Sequence, residues 1–130
     1  MTAHTEDIKV NAKLTVRTYT HTAGPAGSNP LPVGLYFHGA GFCCGDLESE
    51  DTFCRLLAEH LPCLVISVVY RLAPDHKAPA QLDDALEAWN WAYNNASILN
   101  GDGGRYCTVG QSAGGNLALT LAPRLIVLDR

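Results

Sequence analysis

Between residues 8 and 20 apolar and polar positions partly alternate, with Leu14, Val16 and Tyr19 set among Lys13, Thr15 and Arg17. A period of two puts one face toward a core and the other toward water, so this stretch predicts one or two half-exposed antiparallel strands at a sheet edge. The alternation stops at residues 23–30, a Gly- and Pro-rich segment that reads as a loop and is too short for a linker between domains. Residues 32–37 are then a continuous apolar run of strand length, as expected for a strand covered on both faces. From residue 49 to residue 60 the spacing changes again: Phe53, Leu56, Leu57 and then Leu61 share one face of a helix, with Ser49 and Thr52 ahead of them as caps. Residues 63–69 form a second β-branched, buried run.

Residues 70–79 carry Pro74 and Pro79 and read as a structured loop, because proline removes an N–H donor and restricts the residue before it. Beyond it Leu82, Ala85, Leu86, Trp89, Ala92 and Tyr93 return at helical spacing up to Asn94 and Asn95. Residues 100–104, with three glycines, predict a turn into a short strand over 105–109, and a helix follows over 116–121. Strand, helix, strand, helix, strand, helix predicts an α/β fold: a mostly parallel sheet with helices on both faces, in one domain spanning residues 1–130. Ligands of such sheets sit at the C-terminal ends of the strands.

Composition narrows the class without choosing the chemistry. Hydrophobic residues make up 47% and charged ones 17%, the balance of a globular protein with a core. The net charge of -4, with lysines and arginines scattered singly, provides no basic stripe for nucleic acid and no polybasic patch for anionic lipid. The five cysteines lack paired CxxC spacing, so the pattern indicates neither a zinc site nor a disulfide framework, and free thiols fit a reducing compartment. Residues 1–10 are polar and mixed in charge, unlike a secretory signal. The longest apolar run, residues 61–70, is interrupted by Pro62 and is half of the roughly 20 residues that cross a bilayer. These features together predict a cytoplasmic protein with no membrane span, no nucleic-acid partner, and no metal or cofactor.

The chemistry is concentrated where the runs end. Residues 105–109 lead into Gly110-Gln111-Ser112-Ala113-Gly114-Gly115, and a helical pattern follows. Gly-x-Ser-x-Gly between a strand and a helix is the pattern of a nucleophile elbow, a turn so tight that small residues must flank the serine by two places. The next helix turns its free N–H groups toward the same point, where an acyl oxyanion would be stabilised. Taken alone, the five residues also fit a flexible turn. Residues 32–37 likewise end in His38-Gly39-Ala40-Gly41, whose backbone N–H groups could serve an oxyanion or merely close a turn. The Arg71 loop ends the strand between them in sequence, so three features converge on one sheet edge.

With these motifs the chain resembles the α/β-hydrolase fold family and, within it, the hormone-sensitive-lipase-like esterases, including fungal carboxylesterases of secondary metabolism. His38-Gly39-Ala40-Gly41 is similar to the family's His-Gly-Gly-Gly loop, and Tyr70-Arg71-Leu72-Ala73-Pro74-Asp75-His76-Lys77 and the elbow follow in the family's order. The resemblance implies that Ser112 is the nucleophile and that the N–H groups of Gly39, Ala40, Gly41 and Ala113 form the oxyanion hole. It makes His38, Gly110 and Gly114 structural, and the substrate a small carboxylic ester. Ala40 replaces the family's middle glycine, and Gln111 stands where many members carry Asp. The larger departure is length: in this fold an acid and then a histidine follow the serine. Here no histidine follows Ser112 and Asp129 is the one acidic residue after it. The strands that complete the sheet are absent too, so the chain matches the N-terminal half of such a hydrolase. Two alternatives stay open beside the esterase: a truncated product, and a hydrolase-like protein that binds a ligand without turning it over.

Overall fold

A computed structural model of the chain describes residues 3–12, 14–21, 31–39, 51–60, 63–71, 79–95, 101–110, 114–115 and 117–119, with backbone alone at 3, 21 and 101–105. β1 (Ala3–Lys9) and β2 (Thr15–His21) pair antiparallel from Ala3 opposite His21 to Lys9 opposite Thr15. The expected alternation is therefore a hairpin, and it starts five residues before residue 8, because β2 supplies hydrogen-bond partners to the polar end of β1 as well. The link turns where Leu14 N donates to Asn11 Oδ1 at 3.0 Å and Val10 N donates to Leu14 O at 2.9 Å.

β2 pairs antiparallel with β4 (Leu64–Val69), while β3 (Leu31–Phe37) pairs parallel with β4 on one side and with β5 (Gly101–Gly110) on the other. The sheet order is β1-β2-β4-β3-β5. β1, β3, β4 and β5 therefore point one way and β2 runs against them, which makes the sheet mostly parallel as the element order predicts.

The two faces carry separate cores. Val16, Val33, Leu35, Phe37, Leu64, Ile66 and Val68 face α2 (Ala80–Asn95), where Ala85, Ala88, Trp89 and Ala92 meet them together with Leu117 and Ala118. Tyr19, Tyr36 and Val65 face α1 (Asp51–His60). Each large apolar side chain fully removed from water contributes about 1.5–3 kcal/mol, so the α2 face carries most of the hydrophobic stabilisation.

The helix faces differ from those expected. On α1 the buried residues are Cys54 and Ala58, while Phe53 and Leu56 are 44% and 47% exposed. Small side chains one turn apart let the helix lie close on the sheet, and the bulkier ones are displaced to its flanks, where Phe53 meets Tyr36 with ring centroids 5.4 Å apart. Thr52 lies inside the first turn of α1 rather than capping it, and Ser49 and Leu61 fall outside the described residues. On α2 the buried face adds Gln81 and Asp84, and Tyr93 is exposed.

β5 begins at Gly101, where a turn was expected. Its regular register covers Tyr106 to Gly110 against Val33 to Phe37, and before that an irregularity separates the Leu31–Gly101 pair from the Val33–Tyr106 pair. The glycine-rich stretch thus bulges within the ladder, a role for which glycine's conformational freedom also suits it. Beside β5, on the α1 face, lies an apolar groove of about 320 Å³ bordered by Tyr36, Leu57, Cys63, Val65, Cys107 and Val109.

One charged cluster ties the opposite side of the sheet, β1 and β2, to α1. Arg17 grips Asp7 of the neighbouring strand through Nε to Oδ1 at 2.5 Å and Nη2 to Oδ2 at 3.0 Å, and reaches Asp51 Oδ1 at 3.1 Å. Asp51, the first residue of α1, also accepts from Tyr19 Oη at 2.7 Å and from Arg55 Nε at 2.6 Å. Burial pushes the Asp51 carboxyl upward, but hydrogen bonds from Tyr19, Arg55 and Arg17 outweigh it and hold the group below its ordinary value of 3.8. A depressed carboxyl stabilises the fold above its unfolded pKa, and that stabilisation is lost as pH falls through the lower folded value. Asp51→Asn is therefore expected to cost about 2 kcal/mol at pH 7, the worth of hydrogen bonds to a charged group. Urea unfolding at pH 7 and near pH 3 checks this: the gap between the two proteins narrows at the acid end, and an equal gap at both pH values contradicts the assignment.

Candidate active site

The register of the parallel strands places three loop origins in one row. Phe37, the last residue of β3, pairs with Val68 of β4 on one side and with Gly110, the last residue of β5, on the other. Neighbouring strands lie about 4.8 Å apart, so His38, Tyr70 and the turn after Gly110 leave the same edge of the sheet side by side. The free N–H groups and ligand space of an α/β sheet lie at this edge.

The turn after β5 is closed by backbone contact. A side-chain carbon added to Gly110 would lie 2.1 Å from Gly114 O and 2.5 Å from Gly115 N. One added to Gly114 would lie 1.8 Å from Phe37 O and 2.5 Å from His38 O. Nothing flexible stands in the way at either place; both obstacles are main chain. Glycine at these two positions therefore allows the strand to turn into a helix within three residues, and the start of that helix to press on the end of β3. Gly114, Gly115 and residues 117–119 are helical, and Thr108 Oγ1 donates to Ala118 O at 3.2 Å, fastening the helix back onto β5.

His38 is only 2% exposed. Its ring stacks on that of Tyr70, with centroids 4.3 Å apart and planes 10° from parallel, and Tyr70 Oη donates to His38 O at 2.6 Å. His38 Nδ1 lies 2.9 Å from Gly39 O, and because a carbonyl only accepts, the proton belongs on Nδ1. Nε2 is buried without a hydrogen-bond partner among the described residues. An orphaned buried polar atom costs about 1–3 kcal/mol, so the position of this ring is set by what it does for its surroundings rather than by its own satisfaction.

Next to Tyr70, Arg71 is locked to α2. Its backbone N donates to Asp84 Oδ2 at 2.7 Å, Nε lies 3.0 Å from both carboxylate oxygens, and Nη2 reaches Oδ1 at 2.9 Å. Asp84 is completely buried, and the half-buried Arg71 supplies its hydrogen-bond donors there.

A family model described as alpha/beta hydrolase fold matches residues 34–128, which take in all three loops. The chain belongs to the alpha/beta hydrolase family. Among its relatives, a versiconal hemiacetal acetate esterase of Dothistroma septosporum is 43% identical over 96 residues, covering 74% of this chain and 29% of that protein. An ethyl acetate hydrolase of Pseudomonas putida is 44% identical over 115 residues, covering 86% of this chain and 35% of that protein. In three dimensions the chain is similar to a hyperthermophilic esterase of Pyrobaculum calidifontis, with a TM-score of 0.88 and 38% identity, over 98% of this chain and 40% of that one. The chain thus spans about a third of the length of the curated relatives it matches.

In this hydrolase chain, the residues expected from sequence divide in two. Gly39, His38, Gly110 and Gly114 are described, and the fold brings them together at one sheet edge. Ser112, Ala40, Gly41 and Ala113 lie outside the described residues, as does His76. Two residues with clear structural roles at the edge had no role assigned from sequence. In the sequence Tyr70 stands only as part of a loop motif, and Asp84 is not among the apolar residues at helical spacing. A carboxylate at a position where helical spacing demands burial is a signal for a cationic partner, and Arg71 is the cation it finds.

Burial disfavours the thiolates of Cys63 and Cys107. Burial raises the pKa of the Cys63 thiol, as does nearby Cys107 to a lesser degree, and burial of its sulfur raises that of Cys107. Cys107 is exposed as a residue, yet its Sγ lies over Gly34 in the groove, 3.5 Å from where a side-chain carbon would stand. Both remain thiols at neutral pH, and both sit on the α1 face of the sheet, away from the strand-end row. Among the described residues no helix is long and apolar enough to cross a membrane.

Proposed function

We propose that the protein is a serine esterase that hydrolyses small carboxylic esters with Ser112 as nucleophile. The observation that supports it best is the contact that only glycine permits at Gly110 and Gly114, since Ser112 is two residues from each of them. In sequence Ser112 stands between Gly110, the last residue of β5, and Gly114, whose backbone abuts Phe37 O and His38 O. In the reaction Ser112 Oγ forms a bond to the ester carbonyl carbon and loses its proton to a base. The N–H groups of Gly39, Ala40, Gly41 and Ala113 hold the oxyanion, the alcohol leaves with a proton, and water releases the acid from the acyl-serine.

The base and the acid that orients it are, by the family's chain order, histidine and aspartate or glutamate after the serine. His38 is a poor substitute, with its Nδ1–H committed to Gly39 O and its ring stacked under Tyr70. The names of the relatives favour acetate esters as substrates, and the resemblance to fungal carboxylesterases favours a place in secondary metabolism. The free thiols of Cys54, Cys63 and Cys107 favour the cytoplasm.

A second reading is a ligand-binding protein without turnover. Treating the protein expressed from its full coding sequence with a fluorophosphonate, then mapping the modified peptide by mass spectrometry, separates the two. An adduct on Ser112 is the expected result. An adduct on another residue overturns the assignment of the nucleophile, and a folded protein that binds a short-chain ester but forms no adduct is the ligand binder.

A further inference from the structure

Resting on the esterase reading above, we infer that Tyr70 is a positioning residue for catalysis: its hydroxyl and the His38 imidazole together aim the oxyanion-hole N–H groups by pinning the two carbonyls that share their peptide planes. A trans peptide is planar, and its C=O and N–H point in opposite directions. His38 O and Gly39 N–H belong to one such plane, and Gly39 O and the N–H of residue 40 belong to the next. The first plane is fixed by the 2.6 Å hydrogen bond from Tyr70 Oη to His38 O. The second is fixed by His38 Nδ1–H, 2.9 Å from Gly39 O.

The two supports brace each other. Tyr70 is 1% exposed and its ring lies flat against the imidazole it helps to position, so neither side chain can rotate without breaking the stack. Tyr70 is in turn held from behind, because the backbone N–H of the next residue, Arg71, donates to the buried Asp84 at 2.7 Å. From the other side the backbone of Gly114 closes on Phe37 O and His38 O. A glycine-rich loop has many accessible backbone conformations, so peptides left to themselves would not present N–H groups in one orientation. Donors that must already point at the developing charge need such external bracing, since an oxyanion hole works by being organised before the reaction. The orphaned Nε2 of His38 fits this account, as the ring is placed for its Nδ1–H and its flat face.

The test uses the protein expressed from its full coding sequence, with a fluorophosphonate and a short-chain aryl ester as probes. Tyr70→Phe keeps the ring and the stack and removes only the hydroxyl. The expected result is an unchanged final extent of Ser112 labelling, with a rate constant for labelling and a kcat for the ester both lower by about 10-fold to 100-fold, and KM nearly unchanged. A role in stability alone would do the reverse, lowering the labelled fraction while each folded molecule reacts at the wild-type rate, and that outcome overturns the inference. His38→Asn, which keeps a donor near the place of Nδ1, and His38→Ala, which does not, form the second arm. The asparagine variant is expected to react faster than the alanine variant, and equal rates overturn the inference even where Tyr70→Phe folds poorly. Should the wild-type protein form no Ser112 adduct at all, the esterase reading itself fails and the inference falls with it. Should Tyr70→Phe label Ser112 at the wild-type rate, the esterase reading stands and the inference alone is overturned.

Discussion

On the proposed esterase reading, Ser112→Ala is expected to lower kcat/KM for a short-chain aryl ester by about ten-thousand-fold or more, because covalent catalysis would disappear with the nucleophile and only binding and oxyanion stabilisation would remain. The change removes a single oxygen from a residue flanked by Gln111 and Ala113, so folding should be little affected. Comparing thermal unfolding of the two proteins verifies this, and it separates lost chemistry from lost protein. Substrate binding should persist, since the proposed oxyanion donors are untouched, and inhibition by a non-hydrolysable ester analogue measures it. Activity that survived the substitution at its full level would assign the reaction to another group. Among the described residues the first to examine would be Cys107, though its raised pKa argues against it.

Gly114→Ala has the second large effect, and it acts through the backbone. The added carbon would stand 1.8 Å from Phe37 O, so either the first turn of the helix or the end of β3 must move. Both are held, β3 by ladders on its two sides and the helix by Thr108 and the α2-side core. Overpacking in a well-packed region costs about 1–3 kcal/mol and more where backbone is the obstacle, so a loss of about 3 kcal/mol or more is expected. The neighbouring glycine provides the control. A side-chain carbon at Gly115 would meet Gly110 O at 3.5 Å, an ordinary contact, and alanine favours a helix, so Gly115→Ala should change stability by less than about 1 kcal/mol. Denaturant midpoints of the two variants decide the matter: equal destabilisation would mean that Gly114 is not wedged against β3 as described.

The order of elements, the strand runs and the three loop motifs were legible along the chain, because each depends on residues within a few positions of one another. Continuous apolar runs at 32–37 and 63–69 are the pattern expected of strands covered on both faces, and the structure has buried strands there, Leu31–Phe37 and Leu64–Val69. Glycines two places either side of Ser112 marked a turn too tight for side chains, and the 2.1 Å and 1.8 Å approaches at Gly110 and Gly114 are the physical content of that pattern. The family followed from the same local signals and is borne out by the match over residues 34–128.

Tertiary structure alone decided what rests on contacts between distant segments. The face that α1 buries depends on how closely a helix can approach a sheet, which favoured Cys54 and Ala58 over the larger Phe53 and Leu56, and hydrophobic spacing carries no information about that distance. The strand over 105–109 extends back to Gly101 because β3 offers partners beyond the regular register. Asp84 is buried on α2 with Arg71, 13 residues away in sequence, as its partner. Tyr70 gained its role only when strand pairing set the end of β4 against the end of β3 and brought its hydroxyl to a carbonyl 32 residues away in sequence. Local sequence determines which groups this protein has at its sheet edge; the register of the parallel strands determines which of them touch.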